Sequence, residues 1–293
     1  MAETVSMNFA SPPSVLCALP KMFFARRPTH VPKGQTLPLI EARIEGLSAR
    51  PDNLESYRRV CGFAGDGKLP ITYPHIMTMP LHVAMLTSDA FPVRLLGLVH
   101  VRNEITSHRP IAAEEALDVH CALPAHRETD RGQEFDLITT ASIAGSAVWS
   151  EVSTFLARRK SNRTDGARGA AKPKDEVPEA VHTTSWRADG DIGRRYAAVS
   201  GDYNLIHIAD VTAKLFGFNR AIAHGLWSLA RSAAELRPRL AADGVRLTAG
   251  FKLPILLPAW VTLQSWETGA GLAFNLKDAQ GEKPHMSGVL DRL

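Results

Sequence analysis

The sequence predicts a duplicated α+β fold in which each half contributes two helices followed by four strands. Three observations support this prediction. Segments with helical and strand-like periodicity return in the same order in both halves, a polar basic segment separates them, and short sequence matches relate them. At 293 residues the chain is long enough for two domains of ordinary size.

The composition excludes several classes of protein. It is that of a globular protein, with 45% hydrophobic and 22% charged residues. Cys17, Cys61 and Cys121 show no CxxC spacing, and an odd number of cysteines fits a reducing compartment. We find neither a secretion signal nor a run of about 18 apolar residues, so we expect a cytoplasmic protein without a membrane span.

The charge of the chain gives only weak support for an anionic partner. The net charge of +4 could favour a nucleic acid, a membrane or a phosphorylated substrate. Much of the basic excess, however, lies in residues 158–175, which contain almost no large apolar side chain. Such a segment cannot offset its chain entropy by burial. We therefore interpret it as an exposed linker and expect no nucleic-acid partner.

The first half begins with an expected loose arm at residues 1–18. The next segment, 37–47, fits a strand or a short helix equally well. Apolar residues of 74–87 recur every three or four positions, which predicts a helix with a kink or a later start at Pro80. Alternating and β-branched residues then predict four strands of one antiparallel sheet. These strands are 95–105, 117–123, 135–143 and 147–156.

The second half repeats this order. A helical, overhanging segment is predicted over 192–218 and a second helix over 224–236. We divide the chain into a first domain at 1–160, a basic linker at 161–180 and a second domain at 181–293. Four strand candidates close the second domain, at 246–253, 259–266, 271–278 and 285–290.

Three local matches relate the halves and place the chemistry in the second one. The first match puts Phe63 opposite Asp202 and Lys68 opposite His207. If the halves are repeats, only the second has kept its proton-handling side chains. The matched segments are 57–62 with 196–201, 74–77 with 223–226, and 101–105 with 251–255.

Asp202 and His207 are the main candidates for acid–base chemistry. Five residues of regular helix would turn them about 140° apart, so they could not face one point. Ser200 and Gly201 favour a turn before Asp202. We therefore expect the carboxylate in a loop and the imidazole in the next turn, where both can bind one water and exchange protons.

Structural interpretations of the same residues remain open. Asp202 could cap a helix that starts near residue 203, with His207 on the surface. Asn204 could simply hold the loop. Gly225 at a helix start could let a substrate carbonyl reach free N–H groups as an oxyanion site, or could only permit close packing. His224 is more typical of a structural hydrogen-bonding residue than of a catalytic one.

A metal site is the main chemical alternative. Asp202, His207 and His224 could ligate zinc, but no HxH or HExxH spacing supports this, and we expect no metal. The sequence also lacks a glycine-rich phosphate loop and a GxSxG motif, so neither a nucleotide fold nor a serine hydrolase is indicated.

One motif carries a family resemblance. Tyr-x3-Ser-Gly-Asp-x-Asn-x2-His, followed by Ala-His-Gly at a helix start, closely resembles the (R)-specific enoyl-CoA hydratases, which are the MaoC-like or hydratase 2 dehydratases. The match is specific over 196–229 and loose over 181–293, and the first half resembles the degenerate unit of two-domain members. The resemblance implies a double hotdog, in which each antiparallel sheet wraps a long central helix, with the first half making room for longer acyl chains.

The resemblance also implies residue roles. Asp202 and His207 match the pair that activates water, Asn204 matches a supporting residue, and the Gly225 N–H matches the group that binds the thioester oxygen. The family usually has proline where this chain has Leu205; the spacing from Asp202 to His207 is kept. The side chains expected to line the substrate site are Tyr196, Asn204, His224 and Leu226.

The expected activity is reversible hydration of a trans-2-enoyl thioester to an (R)-3-hydroxyacyl thioester. The substrate would be an acyl-CoA or acyl carrier thioester, and no cofactor is expected because the thioester itself acidifies the α-proton. Two further functions are compatible with the fold, a hotdog thioesterase and a non-catalytic acyl-thioester binding protein. The chain could also pair with a second copy as a homodimer.

Overall fold

The computed structural model describes residues 4–159 and 181–293. The linker predicted at 161–180 lies outside the described residues. The division into domains at 1–160 and 181–293 stays a prediction, because strands from the two halves share one sheet.

The first half contains three helices and seven strands among its described residues. In chain order they are β1 (Thr4–Phe9), α1 (Val15–Phe24), β2 (Leu39–Leu47), α2 (Pro51–Cys61), α3 (Tyr73–Thr87), β3 (Leu98–Ser107), β4 (Leu117–Leu123), β5 (His126–Thr129), β6 (Gly132–Ile143) and β7 (Ser146–Arg158).

The described residues of the second half repeat this order, with a more complex connection between the helices. They form β8 (His182–Ala188), α4 (Ile192–Ser200), a 3₁₀ turn (Leu205–His207), α5 (Asp210–Lys214), α6 (Gly225–Leu236), a second 3₁₀ turn (Arg237–Arg239), β9 (Val245–Phe251), β10 (Ala259–Glu267), β11 (Gly271–Asp278) and β12 (Pro284–Arg292). None of the helices described is long and apolar enough to cross a membrane.

The strands form one continuous sheet. Its order is β1-β2-β4-β6-β7-β3-β9-β12-β11-β10-β8, with β5 paired to β6. The halves meet where β3 and β9 pair antiparallel, from Arg102 opposite Gly250 to Ser107 opposite Val245. Helix α3 packs on strands β2 and β4, and α6 packs on β9. This is the expected double hotdog, with its two sheets joined edge to edge.

The first of the three sequence matches is confirmed by the way two helices end. Helices α2 and α4 stop at Gly62 and Gly201, whose φ angles of 79° and 77° lie in the left-handed region that glycine adopts at little cost. The matched segments 57–62 and 196–201 therefore perform the same structural task in the two halves.

The register of the third match is wrong. The Leu69 N–H donates to the Ile111 carbonyl, and the Ala223 N–H donates to the Ile255 carbonyl, at 2.8 and 2.9 Å. Ile111 is thus the equivalent of Ile255, which shifts the match of 101–105 with 251–255. Short ungapped matches could not detect this shift, because alternating strand residues fit several registers.

The extension of the first match to Lys68 and the second match itself are also in the wrong register. Lys68 forms an isolated bridge with Ala112, as Ile222 does with Leu256. In the alignment of the two halves, Lys68 is therefore equivalent to Ile222 and not to His207. The overhang that carries His207 has no counterpart in the first half. The central helices start after the N-caps Thr72 and His224, so 74–77 is not equivalent to 223–226.

The expected loose arm at residues 1–18 is wrong. Strand β1 pairs in parallel with β2, and α1 packs against α3. The outer edge of β2 offers unpaired backbone groups, and adding a strand there satisfies them. The ambiguous segment 37–47 contains the strand β2. Strands β5 and β8 were not predicted.

The core of the second half is apolar where the sheet faces α6. Six of its large side chains are at most 2% exposed, and burial of this kind is the main source of stability. They are Leu229, Leu247, Leu272, Phe274, Leu276 and Leu290.

We expect the variant Phe274→Ala to lower the free energy of unfolding by about 3–5 kcal/mol, because it leaves a cavity in a core that cannot fully collapse. Urea denaturation followed by circular dichroism measures this change. The control Trp260→Ala alters a side chain that is 56% exposed and should change stability by only about 0.5 kcal/mol. Equal effects of the two substitutions would contradict the assigned core.

Candidate active site

The carboxylate of Asp202 lies in a loop, as expected. Gly201 ends α4 and turns the chain away from the helix axis. The Asp202 N–H donates to Ser200 Oγ at 3.2 Å, and Asp202 Oδ1 accepts the Asn204 N–H at 3.1 Å. These bonds fix the loop locally and leave the Asp202 side chain 38% exposed. Asp202 is not a cap of a helix starting at residue 203, because residues 202–204 are not helical.

The imidazole of His207 is held in the following 3₁₀ turn. Asn204 is the N-cap of this turn, and its side chain accepts the Ile206 N–H. His207 is buried, and its Nδ1–H donates to the Ile222 carbonyl at 2.8 Å. Because the carbonyl can only accept, the proton of the neutral ring must be on Nδ1. Nε2 of His207 is therefore free to act as a base.

The two groups are close enough for one water molecule to bridge them. An oxygen of the Asp202 carboxylate and a ring nitrogen of His207 lie within 4.8 Å. Two hydrogen bonds of about 2.8 Å at a tetrahedral angle span about 4.6 Å. A single water can therefore bind both side chains, which the sequence spacing alone could not establish.

His224 contacts both Asp202 and His207. Its Nε2–H donates to the main-chain carbonyl of Asp202 at 3.0 Å, and its ring stacks on that of His207 with centroids 3.7 Å apart. The ring of Tyr196 also packs near that of His224, with centroids 4.9 Å apart, and its hydroxyl is buried without a partner among the described residues. His224 therefore makes a structural hydrogen bond, and its expected place in the substrate site stays a prediction.

Burial and charge keep both imidazoles neutral and the carboxylate ionised. Burial lowers the pKa of His207, and Asp202 and the Ile222 carbonyl only partly oppose this. Burial, with the neighbouring His207, lowers the pKa of His224 to about 3. Loss of solvent raises the pKa of Asp202, but His224, His207 and the Asn204 N–H outweigh it, so the net shift is downward. Near neutral pH all three groups are therefore in their basic forms.

Gly225 begins α6 beside this pair. His224 is the N-cap residue, and its side chain does not cap the helix. The first N–H groups of a helix lack internal partners and carry the positive end of the dipole. A side chain at Gly225 would also come within 3.2 Å of the Phe251 ring. The structure is therefore compatible with Gly225 as an oxyanion site and with Gly225 as a residue that permits close packing. The next residue, Leu226, is half-buried against the core.

The geometry suits proton transfer better than metal binding. Ligand atoms of Asp202, His207 and His224 come within 4.8 Å of one another. The His224 nitrogen that faces the Asp202 carboxylate is Nε2, at 3.8 Å, and it already donates its proton to a main-chain carbonyl. A nitrogen that donates a proton has no lone pair for a cation. A metal bound through this nitrogen would have to break the bond to the Asp202 carbonyl.

Sequence reasoning missed three contacts that position the loop. Gly193 in α4 packs so closely on the turn that a Cβ there would lie 1.9 Å from the His207 carbonyl oxygen. A glycine inside a helical pattern was the available signal. Val15 and Met79 of the first half lie 3.9 and 4.0 Å from the position of a Cβ on Gly201. No local pattern could have indicated these two contacts.

The fold and the site define the class of the protein as a hotdog hydro-lyase. Its buried imidazole base, ionised carboxylate and free helix N-terminus are suited to adding or removing water beside a carbonyl group. Comparison with known proteins agrees with this class and makes it more specific.

Residues 171–288 match the MaoC like domain. The 3-hydroxyacyl-thioester dehydratase X of Mycobacterium tuberculosis is 33% identical over 260 residues, which cover 89% of this chain and 92% of that protein. The crystal structure of HtdX from the same bacterium has a TM-score of 0.73 and 33% identity over 86% of this chain and 100% of that chain. The chain therefore belongs to the MaoC-like dehydratase family.

A more distant structure shares the fold alone. The crystal structure of a MaoC-like dehydratase from Phytophthora capsici is 16% identical and has a TM-score of 0.71, covering 89% of this chain and 98% of that chain.

We expect Gly193→Ala to lower kcat by at least about tenfold, because the new methyl group must displace the turn that holds His207, and small misplacements of reacting groups are costly. Steady-state kinetics of enoyl-thioester hydration measures this effect. The matched control is Gly190→Ala, where a Cβ would meet only Pro258 at an ordinary 3.9 Å. Equal kcat values for the two variants would show that the turn tolerates displacement.

Proposed function

We propose that this protein catalyses the reversible hydration of trans-2-enoyl thioesters to (R)-3-hydroxyacyl thioesters. The observation that carries the proposal is that the Asp202 carboxylate and the His207 ring lie within 4.8 Å of each other, close enough for one water molecule to bridge them. Membership of the MaoC-like dehydratase family supports the reaction type, and the name of the M. tuberculosis relative supports a 3-hydroxyacyl thioester as the substrate.

In the hydration direction, Asp202 and His207 hold the water, and one of them accepts its proton as the oxygen bonds to C3 of the acyl chain. The electrons of the double bond move onto the thioester, and the resulting enolate oxygen is stabilised by the Gly225 N–H at the start of α6. The proton then returns to C2. Dehydration reverses each step, so no proton is gained or lost overall.

The remaining residues support this arrangement. Asn204 fixes both loop and turn, and His224 anchors the Asp202 main chain while stacking on His207. We assign Tyr196 to supporting His224, whose ring it contacts. Leu226, in the first turn of α6, would contact the acyl group near the thioester.

The substrate carrier and location follow as further proposals. An acyl-CoA and an acyl carrier thioester present the same reacting group, and both fit the proposed chemistry. All three cysteines are free thiols, with Cys61 and Cys121 buried, which supports a reducing, cytoplasmic location. The homodimer stays a prediction.

The proposal predicts that Asp202→Asn and His207→Gln each lower kcat by roughly 10²-fold or more, because each removes one acid–base group. The assay follows the loss of enoyl absorbance with crotonyl-CoA, and a parallel thiol assay detects thioester hydrolysis. Asp189→Asn and His182→Gln make the same exchanges at exposed positions and should leave kcat unchanged. Near-normal hydration by either site variant, or release of free CoA by the wild type, would contradict the proposal.

The decrease in activity at acid pH should occur at a lower pH than for an ordinary histidine. The active form of His207 is neutral, and its lowered pKa keeps it neutral to lower pH than an ordinary imidazole. We therefore expect kcat/KM to fall with an apparent pKa below the usual value of about 6.5. A midpoint above that value would argue against a buried neutral base.

Folding must be monitored in the same experiment. Unfolded histidines bind protons at higher pH than the buried rings of His207 and His224, so stability also decreases as pH falls below the unfolded pKa. Circular dichroism at each pH separates loss of fold from loss of the base.

A further inference from the structure

The core of the first half contains a buried polar cluster that the proposed mechanism does not use. His75 Nδ1 and Glu151 Oε2 are 2.7 Å apart, and Asn103 Nδ2 donates to Glu151 Oε1 at 2.6 Å and to Ser153 Oγ at 3.1 Å. All four residues are at most 2% exposed. We call His75, Asn103, Glu151 and Ser153 the first-half cluster.

The equivalent sheet positions of the second half are apolar. The equivalence of Ile111 and Ile255 makes Asn103 equivalent to Leu247. The partners of these two residues on the neighbouring strands are then equivalent as well. Asn103 pairs with Ser153 as Leu247 pairs with Leu290.

Two residues further along β3 and β9, Ile105 pairs with Glu151 as Ala249 pairs with Gly288. The first half thus carries an amide, a hydroxyl and a carboxylate where the second carries two leucines and a glycine.

The hotdog fold does not require these polar groups. Burying a carboxylate and an imidazole costs solvation energy, and well-packed apolar side chains commonly give equal or greater stability. The second half forms the same sheet and helix around such apolar side chains. The first-half cluster therefore points to a ligand rather than to folding.

Two atoms of the first-half cluster show what that ligand must offer. His75 Nε2 and Asn103 Oδ1 are buried, and neither has a hydrogen-bond partner among the described residues. Glu151 accepts from the Asn103 amide, so Asn103 Oδ1 still needs a donor, and Nε2 of the His75 ring can either donate or accept a hydrogen bond. Buried polar atoms are nearly always paired in folded proteins. The missing group must donate to Asn103 Oδ1, and a hydroxyl can do this and also bind His75 Nε2 as donor or acceptor.

The first-half cluster lies next to the candidate active site. Met79 borders Gly201, which precedes Asp202, and His75 is one turn before Met79 on the same face of α3. On the other side, the Phe251 ring that contacts Gly225 also packs against His100 of the first half, with ring centroids 4.9 Å apart.

Helix α3 connects the two sites. An acyl chain that extended from Asp202 past Met79 would next meet the face of α3 that carries His75.

We propose that the first-half cluster is a recognition site for a hydroxyl group on the acyl chain of the substrate, bound by His75 Nε2 and Asn103 Oδ1. This inference rests on the proposed hydration of enoyl thioesters and narrows their class. The preferred substrate is a 2-enoyl thioester whose chain carries a hydroxyl group beyond the reacting carbons, in place of a plain alkyl chain.

The test compares trans-2-decenoyl-CoA with analogues that carry a hydroxyl at one carbon from C6 to C10. We expect kcat/KM to be at least about tenfold higher for one hydroxylated position than for the plain chain, because a site built to bind a hydroxyl discriminates against its absence. No preference at any position would overturn the inference, since water alone would then satisfy the two atoms. Failure to hydrate any analogue, including crotonyl-CoA, would instead overturn the proposed function.

A matched pair of variants links the preference to the first-half cluster. Asn103→Leu copies the residue of the second half and should reduce the hydroxyl preference towards one. Gln133→Leu removes another buried amide of the first half, which bonds to Val31 and Glu128, and should leave the preference unchanged. An unchanged preference in Asn103→Leu would contradict the assignment, and the wild-type series decides the question even if that variant does not fold.

Discussion

Two hydrogen bonds from imidazole N–H groups to main-chain carbonyls hold the candidate site together. His207 donates to Ile222, and His224 donates to the carbonyl of Asp202. Each bond joins the overhanging segment to the start of α6, and each fixes which nitrogen of the ring carries the proton. They add to the local bonds of the loop and orient both rings relative to the Asp202 carboxylate.

The stacked imidazoles couple this arrangement to protonation. The rings of His207 and His224 lie 3.7 Å apart, too close for both to be charged in a buried site. Burial lowers the pKa of each ring, so the neutral, proton-accepting state is also the state that the fold stabilises. The protein thus obtains a base at neutral pH from packing and hydrogen bonds.

The duplication divides the work between the halves. The overhang with His207 belongs to the second half, and the shorter connection after Gly62 leaves no room for such a turn in the first. The first half completes the sheet through β3 and places Met79 beside Gly201. Its sheet interior carries polar groups around Glu151 where that of the second half is apolar. In the inference above, these groups let the first half, which has no equivalent of His207, select the acyl chain.

Local sequence patterns predicted the features that depend on local chemistry. Alternation located most strands, and the turn signal at Gly201 predicted the irregular segment between Asp202 and His207. Contacts between distant segments were out of reach, because tertiary packing alone determines them. The Ile222 carbonyl that binds His207, the closeness of Gly193 and the pairing of β1 are of this kind. The repeat register failed for a related reason, since alternating strands match in several alignments.

The most direct test is a crystal structure of the Asp202→Asn variant with an (R)-3-hydroxyacyl-CoA bound. The account predicts that the 3-hydroxyl oxygen lies within hydrogen-bond distance of both residue 202 and His207 Nε2, with the thioester oxygen on the Gly225 N–H. A ligand whose 3-hydroxyl is remote from His207, or whose thioester faces away from α6, would contradict it.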